Sequence, residues 1–295
     1  MKYEMKEDCI IFDTSTSQLK TIEDFLEYYK QSKKNKYLLI TNKQLLLDNQ
    51  VVKNIHQEIQ KKSLTLLLPK TEIDWVSSEK PCQVVYEDAF LYIVHKEPGC
   101  IIHGEPNDTT CLNAQASCYQ RLHDILTPVR PIHRLDKDTT GLVLYSKIPF
   151  FQPWFDEQLS QKKIKRIYWA ISYGKMEVGQ KITCHKRIGK DRHHSNQYRI
   201  SSTGVEACTH ITCIAKKGPY CLLQCELETG RTHQIRLHLS SLGLPIVNDP
   251  IYGRPSENFE TMGLWAKQII FKNPVTNKKH KIDDFQNKVY TYFNV

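Results

Sequence analysis

The nine residues His133-Arg134-Leu135-Asp136-Lys137-Asp138-Thr139-Thr140-Gly141 constrain this chain more than any other stretch. Pro131 precedes them and fixes its own φ on entry. Asp136 stands between an arginine and a Thr-Thr-Gly turn. That turn reads as a loop returning into a strand, Leu142-Val143-Leu144-Tyr145. Gly141 marks a place where the backbone takes positive φ or passes close to a neighbour. A loop of this kind presents a carboxylate at a strand edge. An aspartate in a turn more commonly caps a helix or closes an Asx-turn, so the reading of Asp136 as a nucleophile or base needs support from elsewhere in the chain.

Two further segments supply it. Glu228-Thr229-Gly230-Arg231-Thr232-His233-Gln234-Ile235-Arg236-Leu237-His238-Leu239 places Thr232 to cap a helix that ends at Gly243. Ile235, Leu239 and Leu242 form its apolar face, and Arg236 falls in its first turns. In Lys165-Arg166-Ile167-Tyr168-Trp169-Ala170, period-two alternation puts Arg166, Tyr168 and Ala170 on one strand face. Ile167, Trp169 and Ile171 take the other.

Charge narrows the partner. The 295 residues carry a formal +9. Residues 161–200 hold eleven Lys/Arg against Glu177 and Asp191, which equals the net charge of the whole chain. His185, His193, His194, Tyr168, Tyr173 and Tyr198 are interleaved there. Cations contact phosphates and aromatic rings stack on bases, so the segment fits a polyanionic nucleic acid. The ten cysteines form no C-x-x-C pair. In Tyr220–Leu227 the alternation puts Cys221, Leu223, Cys225 and Leu227 on one buried face. No structural zinc site is expected from this spacing, and reduced thiols fit a cytoplasmic protein. The N-terminus, Met1 to Asp8, is charged and lacks the apolar run of a signal peptide. No apolar run approaches the ~20 residues that span a bilayer.

Two units are expected. In the first, residues 1–75, Thr21 caps a helix carrying Ile22, Phe25, Leu26 and Tyr29 on one face. A second helix covers Lys34 to Asn42. Gln44–Leu47 and Val51-Val52 form a hairpin about Asp48-Asn49-Gln50, and Leu64–Leu68 closes the unit. The second unit, residues 82–295, opens with strands at Gln83–Asp88 and Phe90–Lys96. Strands outnumber helices and alternate as antiparallel strands do, so the class is α+β.

Asp136 with its flanking residues, Tyr168 and the Arg231–Arg236 segment together resemble the RluA-type RNA pseudouridine synthases. Lys96-Glu97-Pro98-Gly99 with His103-Gly104, and Leu244 to Gly253, extend the match, which covers about Cys82 to Phe285. Leu264-Trp265-Ala266 departs from it, since the family usually has histidine in the middle; packing, more than chemistry, is where this should show. The helix, basic turn, helix and hairpin resemble the small RNA-binding domain named after ribosomal small-subunit protein four. Here the usual glycine before the hairpin strand is missing and the turn arginines are lysines.

The resemblance implies a pseudouridine synthase fold with a mixed, largely antiparallel sheet, plus a small α/β RNA-binding N-terminal domain. It implies an isomerase that turns a uridine out of the helix, breaks its glycosidic bond and rejoins the base through carbon. Asp136 would be the catalytic carboxylate, as nucleophile or base. Tyr168 would stack on the target base, and Arg236 would pair with Asp136. Arg134 would occupy the space left by the flipped base. His133, Arg231, His233 and Lys96 would contact substrate or brace the loops. No cofactor and no metal are implied. The substrate would be ribosomal RNA of the large subunit, or transfer RNA, and the protein a monomer. A catalytically silent RNA-binding or ribosome-assembly factor on the same fold is the alternative, opposed by the presence of Asp136, Tyr168 and Arg236. A nucleoside glycosidase would need neither the basic segment nor the N-terminal unit.

Overall fold

The computed structural model describes residues 1–191, 194, 197–286 and 289–294, without the side chains of 289 and 290. The first unit begins with two strands that sequence reasoning did not find, β1 (Lys2–Met5) and β2 (Cys9–Asp13). Tyr3 and Met5 alternate with exposed Lys2 and Glu4, while Ile10 and Phe12 of β2 are fully buried. Helix α1 (Ile22–Tyr28) starts with a capping box. Asp24 N–H donates to Thr21 Oγ1 at 3.2 Å, and Thr21 N–H donates to Asp24 Oδ2 at 3.0 Å. Helix α2 (Lys33–Thr41) lies one residue earlier than expected. Strands β3 (Leu45–Leu47) and β4 (Gln50–Val51) are joined through Asp48 and Asn49, both at positive φ (48° and 65°). That turn matches the twist of the hairpin. With β5 (Ser63–Leu67) the sheet order is β1-β2-β5-β3-β4.

The second unit is built on one ten-stranded sheet. Strands β6 (Gln83–Glu87) and β7 (Leu91–Lys96) form its first hairpin. Helix α3 (Leu112–Leu122) follows, then β8 (Arg130–Pro131), β9 (Thr140–Ser146) and α4 (Gln152–Ser160). The long β10 (Lys165–Tyr173) leads to β11 (Lys181–Cys184) and to a separate small hairpin, β12 (Ile188–Lys190) and β13 (Tyr198–Ile200). The hairpin of β14 (Thr209–Lys217) and β15 (Tyr220–Leu227) feeds α5 (Gln234–Ser241). Strands β16 (Leu264–Lys272) and β17 (Lys279–Asp283) and helix α6 (Val289–Phe293) complete the order. The main path is β11-β14-β15-β10-β16-β9-β7-β6, with β17 beside β16 and β8 beside β9. Among the described residues every ladder is antiparallel except β9 with β16. Gly141 makes that parallel contact possible. It sits at φ +107°, and a Cβ there would lie 2.5 Å from the Ala266 carbonyl oxygen.

The apolar alternation divides the core. Tyr92, Val94, Val143 and Tyr145 face α3, whereas Leu91, Ile93, Leu142 and Leu144 face the aromatic cluster of α4. That second layer runs without a break into the first unit. Phe25 stacks on Phe150 with ring centroids 5.8 Å apart, and Gln31 Nε2 donates to the Phe150 carbonyl at 2.7 Å. The stretch from Thr71 to Pro81 lies along the second unit, where Asp74 pairs with Arg130 and Ser117 Oγ donates to the Trp75 carbonyl. Among the described residues no helix is long and apolar enough to cross a membrane.

Candidate active site

Asp136 lies on the loop between β8 and β9. Thr139 N–H donates to the Asp136 carbonyl at 3.1 Å and closes the turn. The loop is held from beneath by Lys96 at the end of β7. Lys96 is fully buried, and its Nζ donates to the carbonyls of Glu97 (2.8 Å), Cys100 (2.8 Å) and Lys137 (2.7 Å). Burial pushes its ammonium down to about 8. His133 is buried as well, and its Nε2 accepts the Leu144 N–H at 3.4 Å. Burial, with the Arg166 cation nearby, pushes that imidazole down to about 3, so it is neutral at physiological pH. Of the two roles open to Lys96 and His133, substrate contact or loop support, the bonds of Lys96 Nζ and His133 Nε2 are to the backbone around Asp136.

Arg236 sits in the first turn of α5. Its Nη1 donates to Asp136 Oδ2 at 3.2 Å. The same guanidinium grips a second carboxylate more tightly, with Nε to Asp249 Oδ2 at 2.7 Å and Nη2 to Asp249 Oδ1 at 2.8 Å. Asp249 Oδ1 also accepts the N–H groups of Ile251 and Tyr252. Burial raises the Asp249 carboxyl, yet the Arg236 bonds outweigh it and hold the group below the usual carboxylate range. The Tyr252 ring lies under the guanidinium, 5.3 Å from its carbon. Sequence reasoning included Asp249 and Tyr252 only within the matching stretch Leu244 to Gly253 and gave neither a role. One signal was available: a buried arginine has five donors, and Asp136 alone cannot accept them.

The start of α5 corrects the expected cap. Thr232 caps nothing; His233 is the N-cap residue, in the left-handed conformation at φ +56°. Gln234 ties the entering loop down. Its Oε1 accepts from Arg231 N–H and Thr229 Oγ1, and its Nε2 donates to the Cys208 carbonyl. The unusual backbone points His233 toward the site. Its Nδ1 is 3.0 Å from Tyr252 Oη and its Nε2 is 3.9 Å from Asp136 Oδ2. Burial lowers its pKa, partly offset by the Asp136 charge. Tyr252 Oη in turn donates to the Tyr198 carbonyl, which locks the β12–β13 hairpin against this corner.

Tyr168 and Arg166 share a face of β10, as the alternation required, and both line the pocket that holds Asp136 and Arg236. Tyr168 is buried, and burial raises its phenol. The pocket opens into a cleft of about 840 Å³ edged by Arg134, Lys162, Arg166 and Arg231. Of the basic segment, Lys162 and Arg166 therefore reach the cleft. Lys186 and Arg187 donate to the carbonyls of Ser241 and Gly204. Arg192 and His193 lie outside the described residues. Arg231 divides its role, because Nε donates to the Glu206 carbonyl while the residue still lines the pocket. Trp265, where the family usually has histidine, is buried, donates Nε1 to Asp284 at 2.7 Å and meets Trp169 edge-on. It packs the far face of the sheet, while its neighbour Leu264 lines the pocket.

One carboxylate beside a fixed guanidinium, a buried tyrosine ring and a cationic rim can bind a polyanion, receive a planar base and attack or deprotonate a sugar. Comparisons with known proteins agree. Residues 90–241 match the family described as RNA pseudouridylate synthase. The chain is 32% identical over 265 residues to the uncharacterized RNA pseudouridine synthase YhcT of Bacillus subtilis (strain 168), covering 86% of this chain and 84% of that one. It is 36% identical over 203 residues to ribosomal large subunit pseudouridine synthase D of Nitrosomonas europaea, covering 68% of this chain and 58% of that one. The fold is similar to that of human RNA pseudouridylate synthase domain containing 1, with a TM-score of 0.60 at 20% identity over 73% of this chain and 87% of that one. By its family match and the length of these alignments, the chain belongs to the RNA pseudouridine synthases of the RluA type, which are RNA-uridine isomerases.

Proposed function

We propose that this isomerase converts uridine to pseudouridine in ribosomal RNA of the large subunit, in the cytoplasm, and that Asp136 is its catalytic carboxylate. The observation that carries the reading is the Asp136–Arg236 pair at 3.2 Å, at the foot of a cation-edged cleft and beside Tyr168. Arg236 orients the carboxylate, and Tyr168 offers its ring to the flipped base. Arg134 fills the gap that the base leaves. Arg231 and His233 hold the phosphate or ribose next to the reacting nucleotide. Lys96 and His133 act through the loop they brace. The choice of ribosomal over transfer RNA rests on relatives whose names specify the large ribosomal subunit. The first unit, residues 1–75, adds phosphate contacts from the exposed Lys33, Lys34 and Lys43. The test is to map pseudouridines in RNA from cells lacking this protein, then restore wild type or Asp136→Asn. A large-subunit site should vanish and return only with wild type. Loss confined to transfer RNA would overturn the substrate assignment, and full rescue by Asp136→Asn would overturn the catalytic one.

A further inference from the structure

The fold brings together three side chains that no sequence spacing joins: Cys208, just before β14; His210, its second residue; and Glu228, just after β15. Their donor atoms all lie within 4.8 Å of one another. Cys208 Sγ is 3.9 Å from His210 Nε2, which is 2.7 Å from Glu228 Oε1. Glu228 N–H donates to the Cys208 carbonyl at 3.1 Å, so the strand pairing fixes the group. We infer that Cys208, His210 and Glu228 form a binding site for one zinc ion, with water in the fourth position, at the edge of the substrate cleft.

Geometry and donor chemistry both support this. Zinc takes thiolate at about 2.3 Å, imidazole at about 2.0–2.1 Å and carboxylate at about 2.0–2.2 Å in a tetrahedron. Those lengths put sulfur and nitrogen about 3.6 Å apart, and nitrogen and oxygen about 3.3 Å apart. The sulfur–nitrogen separation of 3.9 Å is within a few tenths of an ångström of that value, and the carboxylate, within 4.8 Å of both, closes on the ion by side-chain rotation. The histidine–carboxylate pair has only to open as the ion replaces a shared proton. His210 also has the outer partner that metal-bound imidazoles use, since its Nδ1 is 3.1 Å from Thr183 Oγ1 on β11. With the proton on Nδ1, the Nε2 lone pair is directed at the ion. Binding releases the Cys208 thiol proton to solvent, the proton shared by His210 Nε2 and Glu228 is replaced by one on Nδ1 through tautomerisation, and no electron is transferred. Glu228 Oε2 can keep Lys162, 3.6 Å away, so the cleft edge need not be dismantled. His210 and Glu228 are exposed, which gives the ion an entry path, while Cys208 is 7% exposed and shielded from competing thiols. Thiolate and imidazole together favour zinc over magnesium or calcium. The ion would pin the start of the loop that carries Arg231. It is not a participant at Asp136.

The test uses the full chain, stripped of metal by a chelator and titrated with cobalt(II), then with zinc. One equivalent of cobalt should give a thiolate-to-cobalt charge-transfer band, and zinc should abolish it stoichiometrically. Cys208→Ser should remove the band, Cys100→Ser should leave it, and Thr183→Val should weaken zinc binding by about tenfold. His210→Ala, at an exposed position, carries the same expectation as Cys208→Ser if the latter fails to fold. Absence of the band in the wild-type protein, or its survival in Cys208→Ser or His210→Ala, would overturn the site.

Discussion

Arg236 is bound twice by Asp249 and once by Asp136: the two Asp249 contacts are 2.7 and 2.8 Å, the Asp136 contact 3.2 Å. The fully buried carboxylate therefore sets where the guanidinium sits, and Asp136 receives what is left over. Asp249→Asn keeps the shape but presents donors to Arg236 and removes the charge. The single-turnover rate should fall about 10- to 100-fold, matching the ~1.5–3 kcal/mol of a charged hydrogen bond. RNA affinity should hardly move. Rate against enzyme concentration separates the two. A variant that binds weakly but reacts at the normal saturating rate would show that Asp249 only shapes the fold.

Asp136→Asn should retain RNA binding and lose isomerisation, because the amide has neither the charge nor the basicity of the carboxylate. Tritium release from ring-labelled uridine measures this. Substantial residual turnover would remove Asp136 as the catalytic group.

The parts of this site that sequence revealed are those carried by local pattern. Alternation put Arg166 and Tyr168 on one face of β10, the family resemblance pointed Tyr168 at the target base, and the Thr-Thr-Gly turn placed Asp136 at a strand edge. In the first unit, α2 and the hairpin fell within a residue or so, since caps and turn residues are short-range devices. What was missed depends on contacts between distant elements. β1 was hidden because its charged residues face solvent beside only two apolar ones. Asp249 was hidden because its role exists only once α5 lies against it. The cap of α5 was misread because Gln234, not Thr232, satisfies the loop, and that requires β14 to be in place.

Lys96 holds three carbonyls, one of them belonging to the residue after Asp136. Lys96→Met fills the same volume but leaves those oxygens without a donor. Stability should drop by about 2–4 kcal/mol in denaturant unfolding, and the rate should fall while RNA affinity stays near wild type. A variant as stable and as active as wild type would mean that the loop holds itself.

His133 makes acid sensitivity predictable. Its imidazole titrates at about 3 when folded, because burial and Arg166 disfavour the cation, against 6.5 ordinarily. The unfolded chain therefore binds a proton that the folded chain refuses. The stability involved is fully present above about pH 6.5 and is lost as pH falls toward about 3, on the order of a few kcal/mol across that window. Urea unfolding at several pH values should show this slope, and His133→Gln, which can still accept the Leu144 N–H, should flatten it. Identical slopes would place the acid sensitivity in other groups.

The first unit cannot be tested by cutting it off. Phe25 and Tyr29 pack on Phe150 and Phe151 in a core common to both units, so removing residues 1–75 would expose that face to water. Truncated protein is expected to aggregate or melt early, which says nothing about RNA. Surface charge is the cleaner probe. Lys33, Lys34 and Lys43 are exposed at the two ends of α2 and lie outside the shared core. Replacing all three with alanine should leave the melting temperature unchanged and weaken binding to folded RNA. The salt dependence should shrink too, because each phosphate contact adds about 0.7–0.9 to the slope of log K against log salt. A loss of about two in that slope, with the rate at saturation intact, would assign the unit to phosphate contact. An unchanged slope would leave it as a packing partner for the catalytic sheet.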